Sequence, residues 1–80
     1  MRLDKYLKVS RLIKRRTVAK EACESERVTI NGKIAKSSTT VKEGDVIEIT
    51  FANRSLKAEI INIAEHVRKD DAKEMYRIIE

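Results

Sequence analysis

The chain has 80 residues, 41% of them hydrophobic and 39% charged, which suffices for one domain with a small core. Such a core leaves no room for a deep catalytic cavity, and no apolar run approaches the ~18 residues that a membrane span needs. The single cysteine excludes an intramolecular disulfide, and no apolar signal-peptide stretch follows the basic N-terminus, so we expect a cytoplasmic protein.

The positive charge is concentrated at the N-terminus. Residues 1–20 carry eight basic side chains and one acid, for a net charge of +7, whereas residues 21–80 carry ten basic and twelve acidic side chains, for −2. A concentrated positive field on a small chain favours a polyanionic partner, and RNA is the leading candidate. The eight basic residues are Arg2, Lys5, Lys8, Arg11, Lys14, Arg15, Arg16 and Lys20.

Residues 3–13 are predicted to form a first helix. Leu3, Tyr6 and Leu7 have the i, i+3, i+4 spacing of a buried helix face. Asp4 lies in the first turn, where a carboxylate suits the positive end of the helix dipole. The basic residues recur at every third position and therefore wrap around part of the outer surface. An ordinary solvated face is the alternative, but solvated faces usually mix charges of both signs.

Residues 15–25 are predicted to form a second helix, packed on the first through small side chains. Its predicted buried stripe is Val18, Ala19, Ala22 and Cys23. Cys23 is interpreted as a core residue rather than a reactive or metal-binding one. Arg16 and Lys20 point the same way, with Arg15 beside them. Because a helix start offers free backbone N–H groups, we predict phosphate binding where the two helices meet.

Beyond residue 25 the apolar period becomes two, which predicts a small curled antiparallel sheet. Asn31-Gly32 supplies the two positive-φ residues of a tight turn between strands at 28–30 and 33–36. Further strands are predicted at 46–51 and 56–62. In the tail, we predict a helical turn over 70–75 with an aspartate cap, and a last strand or apolar segment over 76–79 that closes the sheet.

Three stretches of the chain resemble the S4 RNA-binding domain family. They are Arg2-Leu3-Asp4-Lys5-Tyr6-Leu7, Arg15-Arg16-Thr17-Val18-Ala19, and Val28-Thr29-Ile30-Asn31-Gly32 followed by Val41-Lys42-Glu43-Gly44-Asp45-Val46-Ile47. The resemblance covers residues 1–51 and implies an α+β fold, the alpha-L RNA-binding motif, in which two packed N-terminal helices lie against the sheet. Residues 52–80 complete that sheet, so that 1–80 forms a single domain. The family commonly has glycine just before the first strand, where this chain has Glu26, an acid near the implied site.

The resemblance implies an RNA site on the helix pair and the adjacent hairpin. The matching positions are Arg2, Lys5, Lys8, Arg11, Lys14, Arg15, Arg16, Lys20 and Lys33. We expect Arg16 and Arg2 to contribute most, because a guanidinium fork can bridge two phosphate oxygens. Paired RNA is recognised mainly by shape, 2′-hydroxyls and phosphates, so we do not expect base identity to be read. No metal and no cofactor is implied.

Within this family, the chain resembles short stand-alone members of the RqcP type of ribosome quality-control factor and of the heat-shock type. It lacks the long basic tail of the heat-shock type, which favours the quality-control type. That resemblance implies binding to ribosomal RNA of the large subunit and to peptidyl-tRNA, which is held in place while a partner factor adds alanine tails. It implies neither a membrane nor a small-molecule substrate.

Three alternatives remain at this point. A recycling factor for stalled large subunits or a general assembly factor would also bind ribosomal RNA, and co-purification of an alanine-tailing factor would separate these roles. An RNA-modifying enzyme is not expected, because the sequence has no paired acidic motif and no phosphate-binding glycine loop. A membrane-surface module is not expected either, because the apolar stripes are narrow and no lipidation motif is present.

Overall fold

The computed structural model describes residues 1–79 and has the predicted α+β architecture. In chain order its elements are α1 (Leu3–Val9), α2 (Arg16–Glu24), β1 (Val28–Ile30), β2 (Lys33–Ile34), β3 (Val46–Thr50), β4 (Ser55–Ile60), a 3₁₀ helix η1 (Lys69–Met75) and β5 (Tyr76–Ile79). The five strands form one antiparallel sheet in the order β2-β1-β3-β4-β5. Over the described range, no helix is long and apolar enough to cross a membrane.

The first helix is shorter than predicted. Its predicted buried face is confirmed, but α1 ends at Val9 rather than at residue 13. Arg11 takes a left-handed backbone conformation, with φ of 63°, and its N–H donates to the carbonyl of Lys8 at 3.1 Å, which closes the last turn. This conformation costs a non-glycine residue about 1–2 kcal/mol. Arg11 therefore lies in the loop between the helices and not on α1.

The second helix is confirmed to within one residue at each end, but its orientation differs in one respect. Ala19 and Cys23 are buried, whereas Val18 is 46% exposed, so the assignment of Val18 to the buried stripe is wrong. Adjacent residues are about 100° apart around a helix, and here the core lies on the side of Ala19. Burial raises the pKa of the Cys23 thiol to about 11, which keeps it protonated at neutral pH and fits the interpretation of Cys23 as a core residue.

Two left-handed backbone turns connect α2 to β1 and β1 to β2. Glu26, which stands where the family commonly has glycine, has φ of 60°. Asn31 and Gly32 have φ of 52° and 84°, which confirms the predicted tight turn. The Asn31 side chain fastens this turn to β3, because its Oδ1 accepts from the N–H of Val46 at 2.9 Å and its Nδ2 donates to Oδ1 of Asp45 at 3.1 Å.

The sheet contributes one apolar face to a core shared with the helix pair. Across the strands, Ile47 lies opposite both Ile30 and Ala58, and Ala58 lies opposite Ile78. The buried cluster comprises Leu3, Tyr6, Leu7, Ala19, Cys23, Val28, Ala35, Val41, Ile47, Ile49, Ile60 and Met75. The core is therefore shared by both helices, by β1, β3 and β4, by the segments around Ala35 and Val41, and by the end of η1 at Met75.

Three strands end earlier than predicted: β2 at Ile34 rather than 36, β3 at Thr50 rather than 51, and β4 at Ile60 rather than 62. After Thr50, the N–H of Phe51 donates to the carbonyl of Arg54 at 2.6 Å, so the chain turns there instead of continuing the ladder. The Arg54 guanidinium carbon lies 5.9 Å from the centroid of the Phe51 ring, which is 40% exposed. This pair covers part of the turn at the far end of the sheet.

The C-terminal segment confirms both the helical turn and the last strand. The predicted aspartate cap is wrong, because Arg68 is the N-cap of η1, no side chain within residues 1–79 caps that helix, and Asp70 and Asp71 lie inside its first turn. The hydroxyl of Tyr6 donates to the carbonyl of Met75 at 2.7 Å. Burial raises the pKa of Tyr6 well above its ordinary value, so the phenol stays neutral in this bond. The bond joins α1 to the far end of the chain.

Candidate nucleic-acid interface

A buried carboxylate at the start of α1 holds two arginines. Asp4 is 2% exposed. Its Oδ1 accepts from Nε of Arg2 at 3.2 Å and from Nη2 of Arg16 at 3.5 Å, and its Oδ2 accepts from Nη2 of Arg2 at 3.3 Å. The side chains of Arg2 and Arg16 are 50% and 48% exposed. Asp4 therefore fixes two guanidinium groups side by side while each keeps further N–H donors facing solvent.

The position of Asp4 is set by the first turn of α1. A neighbouring loop closes this turn, because the N–H of Leu3 donates to the carbonyl of Thr39 at 2.8 Å and the N–H of Asp4 donates to that of Ser37 at 3.1 Å. Two of the free donors of the helix start are thereby used within the protein. The Asp4 carboxylate also accepts from the N–H of Lys5 at 2.7 Å, which anchors it in place.

The start of α2 differs from that of α1. Arg15 is its N-cap residue, and no side chain within residues 1–79 caps this helix start. The exposed side chains of Arg15 and Arg16 both lie at this helix start. Phosphate binding at this corner, by helix N–H groups together with guanidinium groups, stays a prediction that this geometry suits.

Most of the other predicted RNA contacts are exposed and unengaged. Lys5 pairs with Glu65, in the segment before η1. In the part of the chain that the structure describes, the remaining six cations form no salt bridge, and all are exposed. These six are Lys8, Arg11, Lys14, Arg15, Lys20 and Lys33. The first three line one cavity, whereas Lys33 lies on β2 at the edge of the sheet.

This arrangement resembles the helix-pair site that the sequence predicted. The model of the S4 domain family matches residues 1–47, a range that contains all nine predicted RNA contacts. The chain belongs to the S4 domain family. Glu26, where the family commonly has glycine, takes a left-handed backbone conformation that glycine adopts without strain.

Similar S4 proteins span almost the whole chain. It is 56% identical over 78 residues to the RQC P-site tRNA stabilizing factor of Halalkalibacterium halodurans, covering 98% of this chain and 89% of that protein. It is 45% identical over 80 residues to the RQC P-site tRNA stabilizing factor of Bacillus subtilis, covering 100% of this chain and 93% of that protein. The structure of heat shock protein 15 of Vibrio cholerae is 31% identical, with a TM-score of 0.90 over 99% of this chain and 81% of that one.

Sequence reasoning missed two parts of this S4 surface. Asp4 was assigned only to the helix dipole, although it is the sole acid among eight basic residues, and that isolation is a signal of pairing. The segment around Glu65 was given no role, because its approach to α1 depends on tertiary packing across 60 residues of sequence. The surface therefore combines two anchored arginines with a set of unengaged cations.

Proposed function

We propose that this S4 protein binds ribosomal RNA of the large subunit together with P-site peptidyl-tRNA in ribosome-associated quality control, and holds the tRNA while a partner factor adds alanine tails to the stalled chain. The observation that carries the proposal is the pair of guanidinium groups that Asp4 holds side by side. The names of the relatives, RQC P-site tRNA stabilizing factors at 45% to 56% identity, support the same role.

The geometry suits a ribose-phosphate surface. A fixed guanidinium can donate two parallel hydrogen bonds to a phosphate, and fixing it beforehand lowers the entropy lost on binding. The unengaged lysines and arginines act on further phosphates as charges. If about six phosphates are contacted, the affinity falls on the order of 10³-fold between 50 and 200 mM salt. Such a protein stays bound mainly where RNA is concentrated, as on a cytoplasmic ribosome.

The role is one of binding rather than catalysis. Within residues 1–79, both buried carboxylates have structural partners: Asp4 holds two arginines, and Asp45 accepts from Asn31 and from the N–H of Lys42 at 3.0 Å. These hydrogen bonds give both carboxylates a structural role, which supports a role in binding.

Sedimentation with purified large subunits that carry peptidyl-tRNA tests the proposal. We expect the parent protein to pellet with these particles, and Arg16→Ala to bind about tenfold more weakly, because a charged hydrogen bond contributes about 1.5–3 kcal/mol. Arg77→Ala is the matched control, since Arg77 lies on β5 and pairs with Glu59 at 2.6 Å. Equal binding by Arg16→Ala and the parent would rule out the assigned site.

A heat-shock-type function in recycling stalled large subunits is the second candidate. The close structural match to heat shock protein 15, with a TM-score of 0.90, favours it. The two roles differ in their protein partner, so affinity purification of the tagged protein from cells with stalled ribosomes separates them. Recovery of an alanine-tailing factor on the same particles supports the first role, and its absence from particles that retain this protein supports the second.

A further inference from the structure

A cavity of about 150 Å³ opens beside the end of α1. On one side it is lined by Lys8, Arg11 and Lys14, and on the other by Glu65, His66 and Val67. The first three residues belong to the predicted RNA surface. The other three lie beyond residue 47, where the match to the S4 domain model ends. The cavity therefore extends the cationic surface into a part of the chain to which the family match assigns nothing.

Packing and an ion pair hold the second wall of this cavity against the first. Ile63 and Val67 pack on the core cluster, which fixes the segment at both ends of Glu65. Glu65 pairs with Lys5 of α1. This bond and the charge of Lys5 are the main causes of a lowered pKa of Glu65, and the charges of His66 and the N-terminal amine lower it further. Glu65, the acid that lines this cavity, is therefore already paired with Lys5.

The first wall is shaped by the left-handed backbone of Arg11. The bond from its N–H to the Lys8 carbonyl ends α1, and the chain then turns so that Lys8, Arg11 and Lys14 border one space. A glycine would adopt this backbone conformation without strain, and strained conformations of this kind cluster at functional sites. The arginine at this point adds a guanidinium to the cavity at a cost in backbone energy.

We propose that this cavity binds a single phosphate of the RNA backbone, with His66 as a ligand beside Lys8, Arg11 and Lys14; this rests on the RNA-binding function proposed above. Its volume of about 150 Å³ leaves room for a phosphate group and water around it. The electrostatic repulsion among these three cations is relieved when a phosphate binds between them. An imidazole N–H supplies a further donor.

The test is the affinity for a fluorescently labelled tRNA transcript, measured by anisotropy. We expect His66→Glu to weaken binding by about tenfold, because it places a carboxylate in a phosphate site. Lys73→Glu, on exposed η1 and outside the cavity, makes a larger change in net charge and should weaken binding by less than about threefold. An equal or larger effect of Lys73→Glu would overturn the proposal, because it would show a response to overall charge alone.

A double-substitution cycle tests whether the residues share one phosphate. The double variant Arg11→Gly with His66→Glu should weaken binding by less than the product of the two single effects, since each substitution removes a contact to the same phosphate. His66→Glu with Lys20→Ala should be additive. Additivity in the first pair would overturn the shared site. Inorganic phosphate in place of chloride at constant ionic strength should weaken tRNA binding by the parent more than by His66→Glu, and an equal effect on the two proteins would also overturn it.

The outcomes separate this proposal from the function on which it rests. If the parent binds neither the tRNA transcript nor large subunits, the proposed function fails. If the parent binds and Arg16→Ala weakens it, while His66→Glu binds as the parent does, the function stands and the phosphate cavity is refuted. Circular dichroism of the exposed-site variants His66→Glu and Lys73→Glu verifies that each is folded.

Discussion

The helix pair and the sheet use their charges in different ways. On the helix pair, Asp4 holds Arg2 and Arg16 in place, and most neighbouring cations have no acid beside them in the described chain. On the sheet, Arg77 pairs with Glu59, and Arg54 lies over the Phe51 ring. The two regions contain the same residue types, and both have cations outside any ion pair in the described chain, such as Lys33 on β2, but only on the helix pair do such cations stand beside two arginines held by one buried carboxylate. Arrangement, more than the net charge of +5, therefore distinguishes a binding face from an ordinary surface.

The strongest test of this contrast removes two arginines from either region. Arg2→Ala with Arg16→Ala should weaken binding to large subunits by about 100-fold, because two charged hydrogen-bonding groups of about 1.5–3 kcal/mol each are lost. Arg54→Ala with Arg77→Ala changes the net charge equally and should weaken binding by less than about threefold. Sedimentation at constant salt measures both. Similar losses in the two double variants would mean that only total charge matters.

A second test removes an acid from the helix pair. The helix pair becomes more positive, but we expect it to bind RNA more weakly. Asp4→Asn removes the carboxylate that fixes Arg2 and Arg16. We expect binding about tenfold weaker and a free energy of unfolding lower by about 1–2 kcal/mol, since hydrogen bonds to a buried charged group are lost. Anisotropy with a tRNA transcript and urea denaturation measure the two effects. Tighter binding by Asp4→Asn would show that charge, and not position, controls this face.

A third test concerns the bend between the two regions. Glu26→Gly should raise the free energy of unfolding by about 0.5–1 kcal/mol, because glycine adopts φ of 60° without the strain of a side chain. RNA affinity should rise slightly, because an acid near the site is removed. Glu21→Gly removes the same charge inside α2 and should instead lower stability, by up to about 1 kcal/mol. Urea denaturation of both variants checks the opposite signs.

The smallest expected effect is the pH dependence of the contact between Lys5 and Glu65. Because Lys5 lowers the pKa of Glu65, this group stabilises the fold fully above its unfolded pKa of about 4.3, and the contribution is lost as the pH falls through the lower folded value. The parent should therefore lose more stability than Glu65→Gln between about pH 5 and pH 3. Glu21→Gln, which alters an exposed acid on α2, should follow the parent. Parallel urea midpoints for the parent and Glu65→Gln would contradict this assignment.

Local signals predicted much of the fold. Asn31-Gly32 specifies a tight turn because both residues tolerate positive φ, and the alternation around Ile47 and Ala58 specifies strands because one face is buried. The end of α1 could not be predicted, since no glycine or proline stands at Arg11 and the turn there is imposed by the surrounding structure. Val18 was wrongly assigned to the buried face, because the apolar period identifies a stripe along the helix but not which side of that stripe faces the core.

The site was predictable in composition but not in arrangement. The concentration of cations in residues 1–20 is visible in the sequence, and the resemblance to the S4 domain family selected all eight of them and Lys33. The bond between Arg16 and Asp4 spans 12 residues, and that between Lys5 and Glu65 spans 60. Contacts of this range are produced by tertiary packing, so only the folded chain shows which cations are held and which are free.

The bond from Tyr6 to the carbonyl of Met75 has a consequence for biosynthesis. The basic helices are translated before the carbonyl that accepts from the Tyr6 hydroxyl, which lies 69 residues after Tyr6 in the chain. A nascent chain halted before Met75 would expose its cations on an unfinished scaffold, close to the RNA of its own ribosome. This surface can therefore reach its final packing only after Met75 has been translated.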